Sequence, residues 1–381
     1  MAVVCIHICN QTLFTFEMSN SNIILSVMVI SHNQVHLIGR CLDSILRQRI
    51  RVPWEIVISD DTSTDGTWEW IQELAKLRNE EIGLRMKEIR GEVLDGEFIP
   101  EITCSQINSS DYNPTVTSDR CAANKANVYS LARGKYCVNI DADDYLLGDD
   151  IYQYQIDQLE AHPECSVAVQ NIWNLKDGDP IEKGHTWWPK NHWGEHEIFT
   201  VREFCDKRLF ISNPALMMRR DPNLVPINKY GLLFDDPIIS MHHMVRGKII
   251  TSQRAQYVYV KYNNSIWNTV SQTDDEIIRM MTPLVVYAKF FPQVFDSMFW
   301  MEHFVWISRI KVYMQKKEKL LLNPLTVEYV ERLHCKVLSD MMEKPHSVRA
   351  KLTMWWFLFM SKFEVQSTLA MRICYKIVKP N

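Results

Sequence analysis

Two acidic clusters, each placed directly after a short apolar run, constrain this chain more than any other feature. Trp54-Glu55-Ile56-Val57-Ile58-Ser59 leads into Asp60-Asp61-Thr62-Ser63-Thr64-Asp65-Gly66, and Tyr136-Cys137-Val138-Asn139-Ile140 leads into Asp141-Ala142-Asp143-Asp144. Apolar runs of this length, bounded by turn residues, read as buried strands. Both carboxylate sets then leave one edge of a parallel sheet, and that edge is where open α/β sheets bind ligands. An Asp-x-Asp-Asp cluster offers hard oxygen donors, which select Mg²⁺ or Mn²⁺ over zinc. One acidic cluster repels a diphosphate unless a divalent ion bridges the two, so metal and nucleotide are expected together. The bland alternatives are a solvated acidic loop at Asp141 to Asp144 and a plain helix-capping turn at Asp60 to Gly66.

The surrounding pattern supplies the rest of such a sheet. Ile23 to Ser31 is a near-continuous apolar run suited to a strand covered on both faces. Leu37, Ile38, Cys41, Leu42, Ile45 and Leu46 then repeat at helical spacing, and Trp68, Ile71, Leu74 and Leu77 do so after Gly66. The unit β-α-β-α predicts a right-handed parallel sheet. Residues 91 to 120 lack periodicity and are rich in Gly, Asp, Ser, Asn and Pro, so they read as a long loop over the sheet edge. A helix is expected from Ala122 to Ala132, a strand from Tyr136 to Asp141, a helix from Ile151 to Ala161 capped by Asp149 or Asp150, and a strand from Ser166 to Gln170.

Between 171 and 230 the sequence turns irregular, with Trp173, Trp187, Trp188 and Trp193 near His185, His192 and His196. The tryptophans either fill a satellite core or present ring faces to a sugar. The histidines are too irregularly spaced for a metal set and read as surface residues. From about Asp274 the chain reads as helical, with Met, Phe and Trp alternating with Lys and Arg. Leu352 to Met360 is a nine-residue apolar run, whereas a spanning helix needs about 20. That region either lies on a membrane surface or packs onto the rest of the protein.

Charge divides the same way. Residues 303 to 381 carry 14 Lys and Arg against 6 Asp and Glu, and residues 1 to 302 carry 28 against 40. Because the basic surplus sits with aromatic residues in a helical tail while the rest is acidic, nucleic acid is not expected as a partner. Ten cysteines are scattered without a Cys-x-x-Cys pair, which predicts reduced thiols in a cytoplasmic protein. The first 17 residues fit neither a secretory signal nor a membrane anchor, and translation from Met18 is an open alternative. A P-loop and a Gly-x-Gly-x-x-Gly turn after the first strand are both absent from the sequence.

Taken together, Val29-Ile30-Ser31-His32-Asn33, Val57 to Thr67, Gly134-Lys135-Tyr136 and Asp141-Ala142-Asp143-Asp144-Tyr145 resemble the family 2 glycosyltransferases of GT-A fold, over about residues 23 to 270. The resemblance implies a Rossmann-like, mostly parallel sheet flanked by helices, with a helical C-terminal region. Its expected parts are an extension at 1–22, a glycosyltransferase domain at 23–272 with a nucleotide half (23–150) and an acceptor half (151–272), and a basic, aromatic region at 273–381.

Carried onto this sequence, the resemblance implies that Ser31 and Asn33 line the nucleotide pocket and that Asp60 or Asp61 hydrogen-bonds the base. Arg120 lies over the nucleotide, Asp141 near the ribose, and Asp143 with Asp144 at the Mg²⁺ or Mn²⁺ ion. Asp236 of Phe234-Asp235-Asp236-Pro237 matches the family's base, with Asp235 in reserve; Asp followed by Pro is also a helix start. Trp187, Trp188 and Trp267 are the candidate acceptor contacts. Two motifs depart from the family: Tyr259-Val260-Lys261-Tyr262 stands where relatives have Tyr-Arg-x-His, and Ala123-Asn124-Lys125 where they have Arg-Asn.

The implied activity is inverting, metal-dependent transfer from a nucleotide-diphosphate sugar, a UDP-sugar favoured, to a glycan or lipid-linked glycan. Its setting is bacterial capsule, lipopolysaccharide or exopolysaccharide synthesis, with a peripheral contact at the inner face of the cytoplasmic membrane. The rival reading is a catalytically silent nucleotide-sugar-binding or scaffold protein, suggested by the two departures. A nucleotidyltransferase is disfavoured, because the segment after the first strand lacks a Gly-rich basic loop.

Overall fold

The computed structural model describes residues 23–77, 98–107, 117–187, 193–206, 215–224, 236–263 and 265. The described residues within 1–198, 211–226 and 234–265 form one compact unit, and the described residues 199–206 belong to a second. Asp235, Trp188, His192, Trp267, residues 1–22 and the whole of 273–381 lie outside the described residues, as does the expected boundary at 272.

In chain order the elements are β1 (Leu25–Ser31), α1 (Ile38–Leu46), β2 (Trp54–Asp60), α2 (67–77), β3 (Glu101–Gln106), α3 (Thr117–Leu131), β4 (Tyr136–Asp141), β5 (Tyr145–Leu146), α4 (Ile151–Ala161), β6 (Cys165–Lys176), β7 (His185–Thr186), β8 (Ile198–Phe199), α5 (Val201–Asp206), β9 (Leu216–Arg219), α6 (Asp236–Met244) and β10 (Lys248–Lys261). The sheet runs β3-β2-β1-β4-β9-β6-β10-β5, with β7 on the side of β6. Parallel pairs join β3 to β2, β2 to β1, β1 to β4 and β6 to β10. Strand β9 lies antiparallel between β4 and β6, and β5 antiparallel to β10. The mostly parallel sheet flanked by helices is thus present, with antiparallel strands let into it.

The central strands read as continuous apolar runs because both faces are covered. Leu25, Val27, Val29, Ile56, Val57, Ile58, Tyr136, Cys137 and Ile140 are all fully buried. Helix α1 presents Ile38, Cys41, Leu42 and Ile45 as one buried stripe. At the amino end of the strands, buried Glu55 accepts from Ser26 Oγ at 2.6 Å, from the Arg133 backbone at 2.7 Å and from Arg133 Nε at 2.8 Å; the same guanidinium reaches Glu101 at 2.6 Å. This network ties β1, β2, β3 and the approach to β4 together at the end opposite the acidic loops.

Three expectations are corrected. Residues 91 to 120 are not all loop: β3 pairs with β2 from Glu55↔Glu101 to Asp60↔Gln106, and α3 already begins at Thr117. As an edge strand β3 buries only Glu101 and Ile102 and leaves the next four residues partly exposed, so it never shows the apolar run that betrays a central strand. The irregular 171–230 stretch holds the second half of β6 and all of β9, which at four residues is too short to show a period. Helix α4 starts as expected, but neither aspartate caps it with its side chain. Asp150 occupies the N-cap without a capping hydrogen bond; its carboxylate accepts instead from Arg254 Nη1 at 2.8 Å and Gln256 Nε2 at 3.0 Å, while Asp149 pairs with Arg49 at 2.9 Å.

Candidate active site

Both acidic loops leave the carboxyl ends of the two parallel strands that flank β1, with Ser31 beside Asp60 and Ile30 beside Asp141. The backbone fixes the exits: Asp61 N–H donates to Ser31 O at 2.9 Å and Ala142 N–H to Ile30 O at 3.0 Å.

The first loop is an internally bonded turn. Asp60 is fully buried, and its carboxylate accepts from Ser31 Oγ (3.0 Å), Ser63 Oγ (2.6 Å), Ser63 N–H (2.9 Å) and Gln106 Nε2 (2.9 Å). Thr62 (φ 47°) and Gly66 (φ 96°) take left-handed backbone that closes the turn. Asn33, itself at φ 51°, receives the Thr64 N–H on Oδ1 at 2.8 Å and donates its backbone N–H to Ser63 Oγ at 2.8 Å. Asp65 then caps α2, accepting the Thr67 N–H at 3.0 Å. Burial opposes the ionised form of Asp65, but the Thr67 hydroxyl and the Val35 and Thr67 amides outweigh it and lower its pKa. The turn therefore both caps a helix and shapes the strand edge.

Asp61 faces a different set of groups. Arg120 Nη2 lies 2.9 Å from Asp61 Oδ2, and the same guanidinium is 3.1 Å from both ring nitrogens of His32. His32 Nδ1 is also 2.7 Å from the Asp61 carbonyl oxygen. Desolvation raises the Asp61 pKa, with Arg120 and His32 pulling it back. Asp61, Arg120 and His32 thus form one polar cluster beside Ser31 and Asn33.

In the second loop, Asp141, Asp143 and Asp144 bring one carboxylate oxygen each within 4.8 Å of one another. Asp144 is almost wholly buried; its oxygens receive the Tyr257 hydroxyl and the Val260 N–H, the latter at 2.9 Å. Desolvation, then the charges of Asp143 and Asp141, push its pKa well up. Asp143 is raised by desolvation too, against help from Arg40 and Gln34. Arg40 stacks 4.5 Å above the Tyr145 ring and donates to the Asp143 carbonyl at 3.0 Å and to Tyr262 Oη at 2.9 Å, which pins the loop between α1 and β10. Three carboxylates this close, in a setting that penalises their charge, fit a divalent cation with oxygen ligands.

Asp236 opens α6, as the Asp-Pro pair implies, and its Oδ1 lies 2.5 Å from Lys125 Nζ of α3. The tryptophans divide. Trp193 is buried with its indole N–H on Ser252 O at 2.9 Å, and Trp173 donates to Ile181 O at 3.2 Å, so these two are packing residues. Trp187 is 40% exposed, its ring 5.8 Å from Tyr259 and 5.8 Å from the Lys261 ammonium. Tyr259 lies two residues beyond Tyr257 on β10, on the face whose Tyr257 hydroxyl reaches Asp144, and its own hydroxyl is pushed up to about 12 by burial and then by Asp144, Asp141, Asp143 and Asp236.

Sequence reasoning missed His32, Arg40, Gln106, Lys125 and Tyr257. Lys125 was visible only as part of a departure from the family pattern. Tyr257 and Tyr259, two apart on one strand face, carried a period-2 signal; Gln106 was hidden by reading its strand as loop.

The sequence model of Glycosyl transferase family 2 matches residues 26–92. Uncharacterized protein Rv1520 of Mycobacterium tuberculosis (strain ATCC 25618 / H37Rv) and uncharacterized protein Mb1547 of Mycobacterium bovis are each 26% identical over 253 residues, 64% of this chain. The match spans 61% of the length of those curated relatives. Among solved structures, S. aureus TarS 1–349 in complex with UDP aligns at a TM-score of 0.45 and 17% identity, over 82% of this chain and 88% of that one. Mannosyltransferase PcManGT from Pyrobaculum calidifontis, in complex with GDP-Man and Mn²⁺, aligns at 0.43 and 15%, over 97% and 89%. The family match over residues 26–92 takes in most of β1, all of α1 and β2, and the Asp60 to Gly66 turn, so over that stretch this chain is similar to glycosyl transferase family 2.

Proposed function

We propose that the chain transfers a sugar, with inversion, from a nucleotide-diphosphate sugar to a hydroxyl of a glycan or lipid-linked glycan. The observation that carries this is the convergence of Asp141, Asp143 and Asp144 beside the Asp60 to Gly66 turn, at the carboxyl ends of parallel strands. In this reading Asp61 meets the base, since Asp60 is already occupied by four internal donors. Arg120 and His32 flank Asp61, Ser31 and Asn33 shape the pocket floor, and Asp141 meets the ribose. Asp143 and Asp144, with Asp141, would hold Mg²⁺ or Mn²⁺, which supplies charge neutralisation for a departing diphosphate.

Asp236 takes the proton of the acceptor hydroxyl as that oxygen bonds the anomeric carbon and the bond from that carbon to the diphosphate oxygen breaks. The products are an inverted glycoside, a nucleoside diphosphate and a protonated Asp236, which returns its proton to solvent. Trp187, beside Tyr259, offers a ring face for an acceptor sugar. Trp188 and Trp267 stay candidates outside the described residues, as does Asp235. Among the described residues no helix is long and apolar enough to cross a membrane. Action at the inner face of the cytoplasmic membrane, in surface polysaccharide assembly, is part of the proposal and rests on the basic aromatic composition of 303–381.

The rival, a silent nucleotide-sugar-binding or scaffold protein, rests on Val260 and Tyr262 standing at the family's Arg and His positions. A panel of UDP-, GDP- and dTDP-sugars with Mn²⁺ and crude glycan or lipid acceptors separates the two. Release of nucleoside diphosphate, lost in Asp143→Ala, supports transfer. Donor binding without release supports the silent module.

A further inference from the structure

Helix α3 touches both halves of the candidate site with two different faces. Arg120, Asn124 and Asn127, spaced four and three apart, point toward the strand ends: Arg120 pairs with Asp61, Asn124 Nδ2 donates to Ser31 O at 3.1 Å, and Asn127 Nδ2 donates to Ser59 Oγ at 2.8 Å. Lys125 and Tyr129, again four apart, point toward α6. Lys125 Nζ lies 2.5 Å from Asp236 Oδ1, and the Tyr129 hydroxyl lies 3.2 Å from His243 Nε2, seven residues further along α6. The imidazole Nδ1–H donates to Ile239 O at 2.7 Å, which leaves Nε2 as an acceptor facing the Tyr129 hydroxyl, and the same hydroxyl lies 3.1 Å from Asp221 O.

We propose that Lys125 is a positioning residue for Asp236: it fixes the carboxylate in register with the donor half of the site, through a helix that the donor half itself holds in place. The inference rests on the reading of Asp236 as the base. Its physical ground is the pairing of unequal partners. The Lys125 side chain is 9% exposed and the Asp236 side chain 29%. An ammonium that deep is retained only when paired, and the Asp236 carboxylate at 2.5 Å supplies such pairing while its own side chain stays 29% exposed. The Lys125 backbone is fixed because Asn124 beside it is bonded to β1. A base held by an ammonium is aimed before the acceptor arrives, and a misplacement of about 1 Å is enough to cost roughly 100-fold in rate.

The test is steady-state kinetics of the full chain, with the panel donor that wild type turns over, on Lys125→Met, Lys125→Arg and Asp236→Asn. A double-mutant cycle in urea on Lys125→Met and Asp236→Asn runs beside it. Lys125→Met is expected to lower kcat roughly 100-fold with donor KM unchanged, Lys125→Arg to restore most of it, and the cycle to show coupling. Unchanged kcat in Lys125→Met, a loss that falls on donor KM instead, or a loss that Arg does not rescue, would each overturn the proposal. If Asp236→Asn retains wild-type turnover, the base assignment itself fails; if Asp236→Asn is dead and Lys125→Met is not impaired, only the positioning role fails. Where wild type turns over no donor, the transfer reading is struck, and additivity in the urea cycle would remove the pair as well.

Discussion

At the scale of single residues, the two neighbouring aspartates at the end of β2 do different work. Asp60 has no exposure and receives four donors, so its first task is to hold the turn together. In Asp60→Asn an amide nitrogen must face donors that the carboxylate now accepts. That change should cost about 2 kcal/mol in urea unfolding, and a cost near zero would show the turn to be self-supporting. Asp61 is buried and pairs with Arg120, and Asp61→Ala is expected to weaken nucleoside diphosphate binding at least tenfold, as read by calorimetry, with a loss of stability from the unpaired guanidinium in the urea curves. The acidic residues were legible in the sequence because Asp clusters after apolar strands have few structural explanations. Their partners were not: Tyr257 on Asp144 and Arg120 on Asp61 join positions far apart in the chain, and no local pattern records a pairing made by the sheet.

Among the elements, the long apolar strands and amphipathic α1 announce themselves, while β3 and β9 do not. An edge strand with polar residues on its open side, and a four-residue strand wedged between two others, take their identity from neighbours rather than from their own period. Gly134, ahead of β4, is a sequence landmark whose reason is packing. A Cβ there would lie 2.6 Å from Ser26 N and 2.6 Å from Tyr136 O, both backbone atoms that cannot swing aside. Gly134→Ala should cost roughly 1–3 kcal/mol, measured by thermal or urea unfolding; a neutral result would mean the β1 and β4 backbones shift freely.

The α3 and α6 contact carries a pH signature of its own. Burial holds the His243 imidazole down to about 4, against an ordinary value of 6.5, with the Ile239 carbonyl opposing and His242 adding to the shift. The unfolded chain takes up a proton below about 6.5, and the folded one does not until about 4. Stability from this group is therefore complete above 6.5 and is lost as pH falls through that window, by up to roughly 3 kcal/mol. Urea unfolding between pH 7.5 and 4.5 should show a steeper loss in wild type than in His243→Gln. Equal slopes would contradict the buried, neutral state.

At the scale of the whole molecule, the sheet separates structural charge from the charge of the proposed site. The Glu55, Arg133 and Glu101 network closes the amino end of the strands, and the two acidic loops occupy the carboxyl end. The expectation of a mostly parallel α/β sheet follows from the alternation of strand and helix patterns, which any chain with these spacings must satisfy. The antiparallel insertion of β9 between β4 and β6 could not be read, because strand order is a property of the assembled sheet. In the proposed function the two loops form one site, in which a metal and a nucleotide bind together. Calorimetric titration of UDP and of GDP into the full chain, with Mn²⁺ and again with EDTA, tests it in wild type and Asp143→Ala. Binding of at least one nucleotide, dependent on Mn²⁺ and lost in Asp143→Ala, is the expected result. Binding equally strong in EDTA or in Asp143→Ala, or no binding of either nucleotide, would contradict it.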